Sequence, residues 1–504
     1  MADYIYMMES RLSPEQQRAV ALMQEAARAH SINLYLTGGT IRDIISGFTI
    51  RDLDFTVEGD PQRLQRELEK AGAEIQGGNE HEILLQFAGG VRGAINRAYT
   101  EKYGKPGKAP ETENASIMED LRRRDFTVNS MALSLNPGSR GLLLDPTNGV
   151  ADLEAKLLRV LHNYAFLEDP SRMIRASRFM VRFHWTMDER TQARYNAAVE
   201  NQYIEHMNER AAGREIEQLA YEDEPLPVMR TLEKEGWLKA LHPHWTVAKV
   251  DAQGLGQLLK TRQQMSDLGY SLNISPAVIY FLTARLSDRD IADLQKQIPR
   301  KGLVKAWQNL EAEAKQLTQR LGGKEAATPS RAWQLLSASK PDTIAFVETT
   351  ARQQAVVQKI RNFFGKWRQM KQRFPLPEMT ELRITPELPV YQKLVDEMFL
   401  RMLDGKLRSK TEIVRLLKPY SPPPPPPPPP PKRGRVKKEA EEAPVKPKVE
   451  AKAARAKAAA VSAKAPETTT AKPLAKLVQA SKSVSKSPKP AKAAKGATKK
   501  TKRK

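Results

Sequence analysis

The chain has 504 residues, a formal net charge of +23 and no cysteine. This length allows two to four domains with a sizeable core. The lack of cysteine excludes disulfides, thiolate zinc sites and a cysteine nucleophile. No apolar run approaches the roughly 20 residues of a membrane span, and the N-terminus has no basic segment followed by an apolar one. We therefore expect a cytoplasmic protein that has no membrane partner.

The positive charge is concentrated at the C-terminus. From Lys432 onward the sequence has 23 Lys and Arg against 5 Glu, which leaves a net charge of +5 for residues 1–431. Ten consecutive prolines at 422–431 precede this segment and predict a stiff polyproline II rod of about 30 Å. The segment beyond them has almost no large apolar residues. We expect it to be a disordered tail that contacts nucleic acid nonspecifically.

Near the N-terminus the pattern predicts a helix, a strand, a glycine turn and a second helix. Ser13 begins a helix with a capping box that runs to about His30, and residues 32–36 form a short apolar strand. Gly38 and Gly39 follow at once, where glycines let the backbone approach a ligand closely. The first amides of the next helix would then face an anion, with Arg42 one turn in. Taken alone, a double glycine is more often only a turn.

The strand at 51–57 carries the strongest chemical signal. Leu53, Phe55 and Val57 alternate with polar residues, so one face is buried and Asp52 and Asp54 share the other. Two carboxylates this close repel each other unless a cation lies between them, and oxygen ligands suit Mg²⁺. The alternative for this pair alone is a solvated acidic face on an edge strand.

Further along, the sequence predicts a helix from Asp60 to about Lys70, strands at 83–87 and 90–96, a surface loop over 101–117, and a strand at 142–144. Three consecutive arginines at 122–124 are flanked by acids. They form either a solvated helix face or a phosphate clamp, for which the planar guanidinium is suited.

From 151 to about 417 the period is mostly helical. Asp169, Arg172, Arg175 and Arg178 stand out because the three arginines repeat at a spacing that lines them along one helix face. On its own, an arginine row is slightly more often solvated than functional. His242 and His244 are the closest pair of histidines, and the sequence shows no further metal ligands nearby.

In this order, the motifs resemble the class II RNA nucleotidyltransferases, the family of bacterial CCA-adding tRNA nucleotidyltransferases and bacterial poly(A) polymerases. The resemblance covers roughly residues 30–240. Each motif is weak alone, but the five occur in the family's order with compatible spacing. They are Gly38-Gly39-Thr-Ile-Arg42-Asp43, Asp52-Leu-Asp54, Arg123-Arg124-Asp125-Phe-Thr-Val-Asn129, Asp145-Pro-x-x-Gly149 with Asp152-Leu153, and Glu168-Asp169-x-x-Arg172 continuing to Arg175 and Arg178.

The resemblance implies an α+β fold: a polymerase-β-like head with a mixed sheet, then an all-helical neck, body and tail, and finally the disordered basic tail. The implied domains are a head at 1–150, a neck at 151–240, a body and tail at 241–417, a polyproline linker at 418–431 and the basic tail at 432–504.

The resemblance also implies roles for individual residues. Asp52 and Asp54 would be the catalytic residues that hold two Mg²⁺ ions. The other implied roles concern nucleotide binding: the triphosphate at Gly38, Gly39 and Arg42, the nucleotide at Arg123 and Arg124, the base edge at Asp169 and Arg172, and support of that site or the phosphates by Arg175 and Arg178.

One departure concerns a third carboxylate, which the family usually carries on a later head strand before a Glu-x-Tyr motif. Alignment on Glu101-Lys102-Tyr103 puts Ala94 at that position and Tyr99 near the expected arginine. Glu80, Glu82 or Glu101 are the candidate substitutes. Without a substitute, the metal site has two carboxylates and its activity is weakened or altered.

The expected function is template-independent transfer of CMP or AMP from CTP or ATP to an RNA 3′ end, with release of pyrophosphate. The expected RNA is tRNA, by addition of CCA or A. The alternatives are a poly(A) polymerase and, from another class, an RNA-binding protein with a weakened catalytic site.

Overall fold

A computed structural model describes residues 3–423, which form one continuous unit. Most of the predicted polyproline rod and all of the basic tail lie outside the described residues. Among the described residues, no helix is both long and apolar enough to cross a membrane.

The N-terminal part, up to about residue 155, is built around a sheet. Its strands are β1 (Asn33–Thr37), β2 (Leu53–Glu58), β3 (Glu74–Asn79), β4 (Glu82–Gln86), β5 (Arg92–Arg97), β6 (Tyr99–Lys102), β7 (Glu111–Asn114), β8 (Ala132–Ser134) and β9 (Leu143–Leu144). Its helices are α1 (Tyr4–Arg11), α2 (Pro14–Ala29), α3 (Gly38–Ser46), α4 (Gln65–Lys70), α5 (Ile117–Arg122) and α6 (Gly149–Ala155).

The main sheet has the order β3-β4-β5-β2-β1-β8-β9. Only the β2–β5 pair in it is parallel, and the other pairs are antiparallel. Leu53, Phe55 and Val57 are fully buried on one face of β2, as their alternation predicts. Asp54 lies on the opposite face of β2, and Asp52 immediately precedes the strand.

The remainder is helical except for the short parallel strands β10 (Leu157–Leu158) and β11 (Thr186–Met187). Its helices are α7 (Ala165–Glu168), α8 (Ser171–Phe183), α9 (Glu189–Glu200), α10 (Glu209–Leu219), α11 (Pro225–Lys234), α12 (Trp237–Leu241), α13 (Ala252–Asp267), α14 (Ser275–Leu282), α15 (Asp288–Gln297), α16 (Lys301–Gly322), α17 (Pro329–Ser337), α18 (Pro341–Thr350), α19 (Gln354–Phe364), α20 (Lys366–Gln369), α21 (Leu376–Glu381), α22 (Tyr391–Leu403) and α23 (Lys410–Leu417).

The prediction of a mixed-sheet head followed by a helical remainder is confirmed. The predicted capping box at Ser13 is present, with Gln16 as its partner. Two local expectations are wrong. Residues 101–117 are not only a loop, because β6 and β7 form a small antiparallel sheet there. The strand β3 was not expected, because Gly77 and Gly78 obscure its alternation.

Buried charge joins the sheet to the helices. Arg300, just before α16, is 5% exposed. It pairs with Glu217 on α10 and donates to the backbone oxygens of Leu85 and Gly93. Separating this buried guanidinium from Glu217 or from the two backbone oxygens would leave a buried charge without its partners, which is costly in free energy. We infer that this contact holds β4 and β5 in place relative to α10.

Candidate active site

The turn between β1 and α3 places the backbone of Gly38 and Gly39 close to the carboxylate of Asp54. Gly38 has a φ of +61°, which glycine adopts without strain. A Cβ atom placed on Gly39 would lie 3.3 Å from Asp54 Oδ2 and 3.4 Å from Arg42 Nη2. Both glycines therefore leave room at the N-terminus of α3, where an anionic ligand can approach the amides.

Asp54 has a raised pKa. Burial and the charge of Asp52 raise its pKa to about 7, against the opposing effect of nearby arginines. Its main chain is fixed by Thr40, whose hydroxyl accepts a hydrogen bond from the Asp54 amide at 2.7 Å. No described residue donates a hydrogen bond to its carboxylate. Such a group is poorly stabilised when ionised, unless a cation approaches it.

Asp52 differs because it is already paired. The Nε and Nη2 atoms of Arg92 both contact its Oδ1, and the Arg92 guanidinium lies 3.2 Å from the ring centroid of Tyr221. No described residue donates to Asp52 Oδ2. Sequence reasoning missed Arg92 and Tyr221, because nothing in the local pattern shows that β5 lies beside β2 or that Tyr221 covers it.

Arg42 is 4% exposed and lies between the sheet and α8. Its Nη1 donates to Asn129 Oδ1 at 2.7 Å and its Nε to Asp43 Oδ1 at 2.8 Å. Its guanidinium carbon is 4.7 Å from the ring centroid of Phe183. These contacts fix the guanidinium close to the turn at Gly39.

The arginines after α5 are partly buried and share one acid. Asp120 is fully buried and accepts from Arg123 at 2.6 Å and from Arg124 at 2.7 Å. Arg124 also donates to Thr56 on β2, and Arg123 lies 3.6 Å from the ring centroid of Tyr99. Asp120 therefore preorganises the two guanidinium groups along the wall of the site.

On the helical side, α8 begins at Ser171, and Asp169 precedes it. Asp169 Oδ1 accepts from the Ser171 amide and hydroxyl, and its Oδ2 lies 3.9 Å from Arg172 Nε. Arg172 donates to the backbone oxygens of Ala165 and Arg123. Its Nε is buried without a hydrogen-bond partner. These contacts fix the Arg172 guanidinium beside Asp169.

The next two arginines of α8 are held by buried acids. Glu215, fully buried on α10, accepts from Arg175 and from Arg178 at 2.7 Å each. Arg175 also pairs with Asp125, and Arg178 with Glu222. Glu215 and Glu222 were not found from the sequence, since they lie about 40 residues away from their partners. The arrangement links α8, α10 and the head through charge.

All eleven predicted site residues line one cleft of about 860 Å³. They are Gly38, Gly39, Arg42, Asp52, Asp54, Arg123, Arg124, Asp169, Arg172, Arg175 and Arg178. The cleft lies between Asp52 and Asp54 on one side and the arginines of α8 on the other. It is large enough for a drug-sized or nucleotide-sized ligand.

Ala94, which the sequence predicts at the position of the third acid, lies directly beside Asp54. Ala94 on β5 is paired in register with Asp54 on β2. Of the candidate substitutes, Glu82 forms a salt bridge with Arg214 at 2.8 Å and Glu101 one with Arg123 at 3.3 Å. Glu82 stands opposite Asn96, one strand further from β2 than Ala94. Glu82 and Glu101 are therefore already neutralised by arginines.

Comparison with known proteins gives a family match for the head. Residues 34–159 match the family described as the Poly A polymerase head domain. The predicted resemblance to the class II RNA nucleotidyltransferases is thereby confirmed, and the match ends near the close of the sheet-containing part.

Relatives of the Poly A polymerase head family extend the similarity. The chain is 25% identical over 392 residues to the A-adding tRNA nucleotidyltransferase of Geobacter sulfurreducens, covering 76% of this chain and 44% of that protein. It is 35% identical over 193 residues to the A-adding enzyme of Halalkalibacterium halodurans, covering 37% and 44%. It is 31% identical over 233 residues to the CCA-adding enzyme of Marinobacter nauticus, covering 44% and 59%. The chain thus spans less than two thirds of each relative.

Among solved structures, an apo form of a CCA-adding enzyme is similar with a TM-score of 0.43 and 24% identity, over 83% of this chain and 99% of that chain. The Thermotoga maritima CCA-adding enzyme complexed with tRNA is similar with a TM-score of 0.40 and 22% identity, over the same shares.

Proposed function

We propose that this protein is a template-independent nucleotidyltransferase that adds CMP or AMP from CTP or ATP to the 3′ end of RNA, with tRNA as the substrate. The observation that carries the proposal is the unpartnered carboxylate of Asp54, which faces the Gly38-Gly39 turn in a cleft lined by arginines. The relatives are named as enzymes that add A or CCA to tRNA, which agrees with the proposal.

The residues present fit a divalent metal ion. Asp52 and Asp54 offer oxygen atoms only, which suits Mg²⁺. Asp52 Oδ2 and both oxygens of Asp54 accept no hydrogen bond from the described residues, and a nearby cation would offset the cost of ionising Asp54. Two bound Mg²⁺ ions would lower the pKa of the attacking hydroxyl and neutralise charge on the triphosphate.

The protein's own groups then bind and orient the nucleotide. The amides at the start of α3 face the triphosphate, and Arg42 and Arg124 supply positive charge beside it. Because both arginines are fixed by hydrogen bonds to the protein, little ordering is needed when the ligand binds. Positioning and charge stabilisation are the main contributions a protein makes to such a displacement.

Base selection is proposed for Asp169 and Arg172. The Asp169 carboxylate accepts and the Arg172 guanidinium donates, so the pair would present a hydrogen-bonding edge without a nucleic-acid template. Both side chains are anchored by hydrogen bonds to the protein. Arg175 and Arg178 would act through this pair and the cleft wall, because Glu215 already occupies their guanidinium groups.

A second candidate function is an RNA-binding protein with a weakened catalytic site. It is favoured by Ala94, which stands beside Asp54 where the family usually has an acid, and by Arg92, which occupies Asp52 Oδ1. A poly(A) polymerase, which uses ATP alone, is the remaining alternative for the activity.

The test is single-turnover extension of three tRNA transcripts, ending before the CCA, after its first two nucleotides, or complete. Each is incubated with Mg²⁺ and one nucleotide at a time. We expect addition that stops at the complete end. A long A ladder on any RNA would instead establish a poly(A) polymerase. Bound but unextended RNA on all three transcripts would support the weakened site.

A further inference from the structure

A cluster of metal-ligand side chains lies in the helical part, in the connection between α12 and α13 and at the start of α15. His242 and His244 come from the connection, and Asp290 comes from α15. One donor atom from each lies within 4.8 Å of the other two. The sequence shows no further ligand near the histidine pair, because Asp290 lies 46 residues beyond His244 and only folding brings it close.

We propose that His242, His244 and Asp290 bind a divalent transition-metal ion, with Zn²⁺ the best fit. Two imidazoles and one carboxylate form a ligand set that such ions favour over Mg²⁺. A fourth position would be left to water. The ion would join the connection after α12 to the first turn of α15.

The two separations from Asp290 fit this assignment with small side-chain movements. Asp290 Oδ1 lies 2.8 Å from His244 Nδ1 and 3.8 Å from His242 Nε2. Ligands about 2.0–2.2 Å from a tetrahedral zinc ion are separated from each other by roughly 3.3–3.5 Å. One separation must therefore lengthen and the other shorten by about half an ångström, which side-chain rotation supplies.

The cluster is held by its surroundings. Ser287 Oγ donates to Asp290 Oδ2 at 2.7 Å, which leaves Oδ1 directed at the histidines. Trp245, fully buried, anchors the connection by donating from its indole to the Leu282 backbone oxygen. Partners that orient the ligands in this way are a regular feature of metal sites.

One weak contact changes when His242 binds a metal ion through Nε2. His242 Nδ1 accepts from the His244 amide at a long 3.4 Å. Binding through Nε2 moves the imidazole proton to Nδ1 and gives up this weak contact.

The experiment titrates the full chain with Co²⁺, followed by Zn²⁺, in excess Mg²⁺ so that Asp52 and Asp54 do not compete. Visible d–d absorption reports tetrahedral Co²⁺, and the absence of cysteine removes thiolate sites as a source of signal. We expect one equivalent of Co²⁺, displaced by Zn²⁺, and a thermal midpoint that rises with Zn²⁺.

His244→Ala and Asp290→Asn should weaken binding by more than the ~10- to 100-fold that loss of a supporting partner costs. His206→Ala, at another exposed histidine, is the matched control and should bind normally. His244 is largely exposed, so its variant should fold. Absence of binding at micromolar Zn²⁺, or equal binding by both variants, would overturn the proposal and leave only a hydrogen-bonded histidine–aspartate pair.

Discussion

Ala94 and Asp54 lie side by side in the parallel β2–β5 pairing, so the methyl group and the carboxylate project from the same face of the sheet. Ala94 is 7% exposed and lies between Asp54 and Leu84. Ala94, which the alignment on Glu101 and Tyr103 predicts at the third-acid position, is therefore adjacent to the proposed metal site and has no charge.

Replacing Ala94 with an acid tests whether the missing carboxylate lowers the transfer rate. We expect Ala94→Asp to increase the transfer rate at limiting Mg²⁺ at least several-fold, because a third carboxylate strengthens metal binding. In the absence of Mg²⁺ the same variant should be less stable, since three acids would then repel each other. Ala94→Asn has nearly the same shape without the charge, and should show neither effect. An unchanged Mg²⁺ dependence in Ala94→Asp would show that the position does not serve the metal.

Removing both acids tests the proposed metal site. The Asp52→Ala, Asp54→Ala double variant should lose at least about 10³-fold in transfer rate, as expected when several kcal/mol of charge stabilisation is lost. RNA affinity, measured by filter binding, should change little. Asp267→Asn, an exposed acid far along α13, serves as the control. Transfer that survives in the double variant would contradict the metal assignment.

The raised pKa of Asp54 gives a pH dependence with a definite sign. The folded protein holds this proton more tightly than the unfolded chain does, so the free energy of unfolding falls as pH rises from about 4 to about 7. The groups facing Asp54 are Asp52, which raises the pKa, and Arg124, Arg42 and Arg92, which lower it.

Urea denaturation without Mg²⁺ should show this decline in the native protein and a smaller one in Asp54→Asn. Mg²⁺ should reduce the difference, and its binding should release protons below pH 7. Equal pH profiles for the two proteins would mean that Asp54 titrates normally.

Glu215, which pairs with Arg175 and Arg178, should contribute more to the stability of the protein than to catalysis. Glu215 and Arg178 are both almost fully buried. Glu215→Gln leaves Arg175 and Arg178 partly unpaired, and we expect a loss of about 3–5 kcal/mol in the free energy of unfolding, measured with urea. Glu209→Gln, exposed on the same helix, is the matched control. A loss below about 1 kcal/mol would show that the arginines find other partners.

The basic tail is predicted from the sequence to be an accessory to RNA binding. Deleting residues 432–504 should weaken RNA affinity and flatten its salt dependence, by about 0.7 log units per lost phosphate contact on single strands. Transfer at saturating RNA should remain. Loss of transfer at saturating RNA would assign the tail a role in catalysis.

The sequence by itself determined the features that depend on spacing along the chain. The Gly38-Gly39 turn, the buried alternation around Asp52 and Asp54, and the single arginine face of α8 each follow from local geometry. The family resemblance implied the roles of the site residues, and folding brings them to the same cleft.

Only the tertiary structure decided which charges meet. Arg92 reaches Asp52 across 40 residues, Glu215 reaches Arg178 across 37, and Asp290 reaches His244 across 46. These contacts depend on which strands pair and how the helices pack. The local spacing of residue types along the chain determines neither. The register of β5 on β2 likewise places Ala94 beside Asp54, because strand pairing fixes neighbours that lie far apart in the sequence.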